Sequence, residues 1–230
     1  MHNKNLSESI ADRIKRKIII GEYSIGEQLP NEQDLSEMLN VSRPTIREAI
    51  KILASKHVVQ IERGKGTFVA AIPGLGEDPF GLEFVSDKIL MPDLCAFRAT
   101  VEPEVCYLAA KNASSQQINE MHMIVKKMNE LCRLVVSGSK DEWMDGFIDL
   151  EIAFHSLIYK MTGNVIFERM TDIISRSVII NCTALNYRKT FDFEKYTEIH
   201  ALLYESIKSR DSEKAKILSY QHSGTFSLFL

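Results

Sequence analysis

Leu6, Ile10, Ile14 and Ile18 recur every fourth residue, the period of one helix face, and predict an amphipathic helix that ends near Gly21. The stretch GEYSIGEQLPN reads as a turn. A shorter helix follows from about Asn31 to Leu39, with Leu35, Met38 and Leu39 pointing inward. Asn40 and Val41 leave room only for a tight connection. Ser42 is an N-cap for a third helix, Arg43 to about Lys56, with Pro44 in the first turn, where its missing N–H is not needed. Ile46, Ala49, Ile50 and Leu53 form that helix's apolar stripe. The period then drops to two. VVQIE and GTFVA flank Arg63-Gly64-Lys65-Gly66, a hairpin whose glycines supply positive φ.

Residues 71–86 hold two prolines and three glycines without periodicity and read as a linker. Beyond them the pattern is helical throughout, in segments near 88–112, 115–137, 140–162, 164–186, 193–209 and 211–228. Ser114, Gly163-Asn164 and Asp211 supply the start and stop signals between them. The predicted fold class is therefore mainly α. An N-terminal winged helix-turn-helix domain (1–70) and a linker (71–86) precede an all-α helical bundle (87–230) large enough to bury its own core.

Composition narrows the class. Of 230 residues, 45% are hydrophobic and 26% charged, the balance of a globular protein. No apolar run approaches the ~18 residues that span a bilayer, and the polar N-terminus has no signal-peptide core. Cys95, Cys106, Cys132 and Cys182 form no CxxC pair, which fits a reduced cytoplasm better than a disulfide framework. The net charge of −3 hides an asymmetry. Residues 1–72 carry 11 Lys+Arg against 9 Asp+Glu, and the rest carry 17 against 22. A mildly basic front and an acidic rear suggest different partners.

The third helix begins with groups suited to a DNA groove. Ser42, Arg43, Thr45 and Arg47 cluster at its N-terminal end, with Lys51 one turn beyond. Arginine pairs bidentately with guanine, while hydroxyls and a helix N-terminus hold phosphate. The hairpin tip, Arg63, Gly64 and Lys65, is basic and slim enough to approach a backbone or enter a minor groove. For one helix taken alone, a solvated basic face explains the arginines equally well. The basic hairpin that follows favours DNA.

These residues carry a resemblance. Gly26, Leu29-Pro30, Glu32, Leu35, Val41-Ser42-Arg43, Arg47-Glu48-Ala49 and Gly64-Lys65-Gly66-Thr67-Phe68-Val69 resemble the DNA-binding domain of the GntR family of bacterial transcription regulators. The resemblance implies that Arg43, Thr45 and Arg47 contact the operator and that Gly64 meets the minor groove. Gln33 stands where the family commonly has arginine, which implies one fewer phosphate or base contact.

In the rear domain, Glu151 and His155 lie four apart on one helix face, His200 lies mid-helix, and His222 lies near the chain's end. Three imidazoles and a carboxylate from three helices can converge on a first-row metal, but such a scatter of His and Glu is more often surface or satisfied core. Residues 94–225 resemble the FCD ligand-binding domain of the FadR-type branch. That resemblance implies that Glu151, His155, His200 and His222 are metal ligands, with Glu151 replacing the usual aspartate. The implied cofactor is a divalent transition metal, zinc foremost, with nickel or manganese as alternatives. Arg98 is placed either to pair with Glu102 at i+4 or to bind an effector carboxylate, with Arg176 a second effector candidate.

The expected protein is a cytoplasmic homodimeric regulator, a repressor, with no enzyme activity and no membrane attachment. It is expected to bind palindromic operator DNA under control of a small carboxylate, such as a hydroxy acid or sugar acid. The alternatives are a metal-free sensor of an acyl-CoA and a metal-dependent hydrolase. No nucleophile elbow, P-loop or dinucleotide fingerprint supports the last.

Overall fold

The computed structural model describes residues 5–76, 78–136, 143–186 and 193–227. The chain forms two compact units, Met1–Pro79 and Phe80–Leu230.

The first unit opens with α1 (Leu6–Ile19), started by a capping box in which Asn5 and Glu8 satisfy each other's backbone N–H. Then follow α2 (Glu32–Leu39), α3 (Arg43–Ser55), β1 (Val59–Glu62) and β2 (Gly66–Val69). Asn40 makes the α2–α3 link tight because it adopts the left-handed conformation (φ 52°), closing α2 while Ser36 Oγ donates to the Val41 carbonyl at 2.6 Å. Ser42 caps α3, accepting from the Thr45 amide. Ile46, Ala49, Ile50 and Leu53 pack with Ile10, Ile14, Leu35 and Leu39 into one core.

Two expectations need correction here. Met38 is 55% exposed, and Leu6 is exposed as well. Eight-residue α2 buries only the i, i+4 pair Leu35 and Leu39, and Met38 falls at the solvent edge of that stripe. The segment read as a turn also contributes to the wing. Leu29 donates to the Thr67 carbonyl and Val69 to that of Glu27, and Gln28 bridges Phe68, adding an extended edge to the β1–β2 hairpin. Gly64 (φ 75°) and Gly66 (φ 135°) turn the wing tip; at Gly66 a Cβ would also strike the Gln28 side chain.

The second unit is a helical bundle: α4 (Asp87–Asn112), α5 (Ser115–Val136), α6 (Trp143–Met161), α7 (Val165–Arg169), α8 (Thr171–Asn186), α9 (Phe193–Lys208) and α10 (Ser212–Ser227). The expected helix ends at 137, 140–142 and 228 lie outside the described residues. The single helix expected over 164–186 is instead two, because the chain tightens at Met170, whose N–H donates three residues back to Phe167. Ser114, Asn164 and Asp211 each cap the helix they precede.

Long α4 lies along α10 and also touches α6, α8 and α9, so it forms one wall of the interior. Arg210 fixes that arrangement. It sits in the α9–α10 turn with φ 63°, and its guanidinium donates to the carbonyls of Ala110 and Ala113 at the end of α4. Asn112 likewise ties α4 to the Thr162 carbonyl after α6, at 2.8 Å.

Leu53 is 1% exposed at the centre of the first core, so Leu53→Ala should cost about 2–5 kcal/mol in chemical denaturation. Met38→Ala should stay within about 0.5 kcal/mol of the parent, since nothing collapses around it.

Candidate functional site

In the first unit, Arg43, Arg47 and Lys51 are exposed along α3, and Arg63, Gly64 and Lys65 are exposed at the wing tip. Ser42 Oγ and Thr45 Oγ1 lie 2.9 Å apart at the start of α3. This stretch combines a helix N-terminus, two hydroxyls and three cations on one element, which suits a phosphate-lined groove. Several of these cations already have partners within the chain. Arg47 forks onto Glu32, Lys51 meets Glu48 at 2.8 Å, and Lys65 meets Glu62 at 2.9 Å. Gln33 bonds Glu37, and its carbonyl oxygen accepts from Arg43 at 3.4 Å.

In the second unit the four residues implied as ligands come together. Ligand atoms of His155, His200 and His222 all lie within 4.8 Å of one another, and all three rings are buried. The Nε2 atoms of His155 and His222 are 3.2 Å apart. Glu151, fully buried, sends Oε2 to within 3.7 Å of His155 Nε2 and Oε1 to within 3.2 Å of His200 Nε2.

Tyr196 orders this group and was not singled out from the sequence. Its hydroxyl donates to Glu151 Oε2 at 2.9 Å, and its backbone carbonyl sits 2.8 Å from His200 Nδ1. A carbonyl only accepts, so Nδ1 carries a proton, and Nε2 is the nitrogen that faces Glu151 Oε1. Neither of those two facing atoms has a hydrogen-bond partner. A neutral imidazole nitrogen and a carboxylate oxygen so placed repel unless a proton or a metal ion lies between them. The i, i+4 spacing of Tyr196 and His200 was the available sequence signal.

Ligand atoms held 2.0–2.1 Å from one ion stand about 2.9 Å apart at a right angle and about 3.4 Å apart at the tetrahedral angle. The two 3.2 Å separations fall between these limits. At Glu151, His155 and His222 the protonation states also suit ligation, which needs neutral imidazole and ionised carboxylate. Burial, reinforced by Arg98, holds His155 below the usual imidazole range. Burial and the neighbouring His200, His155 and Arg98 hold His222 well below it. Burial pushes the Glu151 carboxyl upward, but His200 and His155 outweigh it and keep it well below the carboxylate range.

Arg98 takes the pairing with Glu102 and also touches the histidine cluster. It is 2% exposed, and Nε donates to Glu102 Oε1 at 2.8 Å while Nη2 reaches His155 Nε2 at 3.1 Å. Burial opposes its charge, and the Glu102 carboxylate more than restores it. Arg176 is not brought into the cluster; it pairs with Asp87 at the start of α4, at 2.9 Å. Cys106, also buried, has its thiol pushed up to about 12 chiefly by burial. Cys95, Cys106 and Cys132 are free thiols.

A two-unit chain with a basic helix and wing in one unit and a buried polar cluster in the other has the plan of a ligand-responsive DNA-binding regulator. Comparison with known proteins agrees. Residues 6–69 match the family described as bacterial regulatory proteins, gntR family, and residues 93–224 match the FCD domain. The chain belongs to the GntR family, in the branch that carries an FCD domain, and is a DNA-binding transcription regulator.

It is 26% identical over 226 residues to the HTH-type transcriptional repressor NanR of Klebsiella aerogenes, covering 92% of this chain and 80% of that one. It is also 26% identical over 224 residues to the uncharacterized HTH-type transcriptional regulator YieP of Escherichia coli K12, with 92% and 90% covered. A solved structure described as Streptococcus agalactiae GntR superposes with a TM-score of 0.78 at 26% identity, covering 95% of this chain and 98% of that one. These relatives are transcription regulators, not enzymes, so the hydrolase alternative falls. No helix among the described residues is long and apolar enough to cross a membrane.

Glu102→Ala leaves a buried guanidinium without its carboxylate and should cost about 3–5 kcal/mol in denaturation of the purified protein. Replacing the pair together, Arg98→Met with Glu102→Leu, should cost markedly less. A single variant as stable as the parent would show that Arg98 does not depend on Glu102.

Proposed function

We propose that this regulator is a homodimeric repressor whose hold on a palindromic operator is set by a small carboxylate bound beside a divalent metal in the helical unit. The observation that carries the reading is the convergence of buried donor atoms from His155, His200 and His222, with Glu151 Oε1 facing His200 Nε2 at 3.2 Å. Glu151, His155, His200 and His222 would hold the ion. Imidazole with one carboxylate suits zinc, with nickel or manganese as alternatives. Bound there, the metal supplies a Lewis-acidic centre that a carboxylate and a neighbouring hydroxyl can chelate.

The chain's own residues do the rest. Tyr196 fixes the proton of His200 and occupies one oxygen of Glu151. Arg98, held by Glu102 and touching His155, provides a guanidinium edge for the effector carboxylate. Arg176, engaged with Asp87, has the weaker claim to an effector role. A hydroxy acid or sugar acid meets this chemistry better than a neutral sugar or an amine. A metal-free sensor of an acyl-CoA would have no use for four converging donor side chains. The free thiols agree with a cytoplasmic setting.

DNA would be read by α3, with Ser42, Arg43, Thr45, Arg47 and Lys51 in the major groove and Arg63, Gly64 and Lys65 of the wing at the backbone or minor groove. A single wing-and-helix unit reads few base pairs, and a two-fold dimer on a palindrome doubles them. The acid acts by favouring one arrangement of the paired DNA-binding units over another. By linkage, operator DNA must weaken acid binding by the factor with which the acid weakens operator binding.

Fluorescence anisotropy on an operator selected from random duplexes, with zinc and acid varied independently, tests the whole reading. The acid should release DNA only from metal-replete protein. Release without metal would restore the metal-free alternative, and release by metal alone would make the protein a metal sensor.

Dialysis against a chelator should lower the melting temperature and zinc should restore it; at a free zinc concentration 100 times the Kd the stabilisation is about 2.7 kcal/mol. His200→Ala should abolish that restoration. Tyr196→Phe should weaken metal binding about 10–100-fold in chelator competition. Identical melting of stripped and replete parent protein would refute the metal centre.

Arg43→Ala should cost about 1–3 kcal/mol of operator binding and relax specificity at one position. Lys65→Ala should instead weaken all duplexes alike and reduce the salt dependence. An Arg43→Ala protein that binds the operator like the parent would remove Arg43 from the readout.

A further inference from the structure

Glu32 belongs to the motif that carries the family resemblance, yet the reading above gives it no role. It is the first residue of α2, where the Asn31 side chain caps the helix by accepting from the Gln33 and Asp34 amides at 2.9 and 3.0 Å. From there its carboxylate crosses to α3 and takes Arg47 fork on fork. Arg47 Nε donates to Oε1 at 3.0 Å, and Nη2 donates to Oε2 at 2.7 Å. The other cations of α3 are held differently. Lys51 pairs within its own helix, and Arg43 has a 3.4 Å contact with a neutral amide.

A guanidinium has five N–H donors in a fixed plane. Glu32 takes the Nε–H and one Nη2–H. The opposite edge, Nη1 with the second Nη2–H, still presents two parallel donors, the arrangement that guanine O6 and N7 accept. A free arginine side chain must surrender much of its rotamer freedom when it docks on a base; one already clamped on its far edge surrenders less. The clamp has an opposing effect. Glu32 carries a negative charge onto a face that must approach phosphates, which weakens binding to every duplex regardless of sequence.

We infer that Glu32 is a specificity-determining positioning residue: it holds Arg47 edge-on for a guanine contact and trades general DNA affinity for discrimination. The inference rests on α3 being the element that reads DNA, and Arg47→Ala tests that premise separately.

The two effects of Glu32 have opposite signs, so they can be told apart. Affinity is measured for the parent, Glu32→Gln, Glu32→Ala, Arg47→Ala and the Glu32→Ala/Arg47→Ala double variant. Each binds a duplex chosen by selection from a random pool and, separately, a scrambled duplex of the same length, with a thermal melt confirming the fold. In the Glu32 variants the selected duplex should bind about tenfold more weakly while the scrambled duplex binds more tightly. In the Arg47→Ala background, loss of Glu32 should no longer weaken the selected duplex, because the guanidinium it positions is gone.

Tighter binding of both duplexes by the Glu32 variants would make Glu32 a simple repeller of phosphate and overturn the inference. Equal weakening of both, with a lowered melting temperature, would make it a structural residue and overturn it as well. An Arg47→Ala protein that binds the selected duplex like the parent would remove the premise itself. Weakening by Arg47→Ala with no change in the Glu32 variants would remove only the clamp.

Discussion

Arg98, Glu102, Glu151 and three imidazoles lie together in the interior of a helical bundle, and the rest of that unit is organised around making this tolerable. Isolated ionised groups in an apolar interior cost far more than a domain's net stability. Here Arg98 and Glu102 satisfy each other, and Tyr196 anchors one oxygen of Glu151 and the proton-bearing nitrogen of His200. Burial holds His155 and His222 below the usual imidazole range. What remains is Glu151 Oε1 facing His200 Nε2 at 3.2 Å, a local energetic defect unless a proton or a metal ion lies between the two atoms. The surrounding core, with Phe154, Leu157, Met121, Met128 and Leu203, supplies the apolar burial against which that defect is held.

The arrangement also bears on how a ligand bound there would act. The polar cluster draws on α4 for Arg98 and Glu102, α6 for Glu151 and His155, α9 for Tyr196 and His200, and α10 for His222. A ligand that changes the distances among these groups pushes on four helices at once. Arg210 in the α9–α10 turn, bonded to the end of α4, couples two of those contributions through the backbone. Close-packed interiors move between discrete arrangements rather than bending continuously, which is the physical basis for a switch.

In the first unit the constraint is different. Its core is small and mostly apolar, and the cations of α3 and the wing face outward. Asn40 in the left-handed conformation sets the α2–α3 geometry, and Glu32 and Arg47 then meet across it. Gln28 likewise supports the wing from outside the hairpin, donating to the Lys65 carbonyl at 2.7 Å while Gly66 leaves space for it.

Much of this was legible in the residue pattern. The period-four stripe of α1, the Ser42 cap and Pro44 of α3, the glycines of the wing, and the caps at Ser114, Asn164 and Asp211 are local signals, and the chain obeys them locally. That Glu151, His155, His200 and His222 gather in one place was signalled too, through the family resemblance. Tertiary structure decided what meets what. Gln28 became an edge partner of β2, Met38 stayed in solvent, and the helix over 164–186 broke at Met170. Arg176 went to Asp87, and Arg98 went to both Glu102 and His155. Spacing within a helix places side chains on a face, but the meeting of residues 151, 155, 200 and 222 depends on how α6, α9 and α10 cross. Those crossings are fixed by side chains from elements far apart in the chain, so no short stretch of sequence contains them.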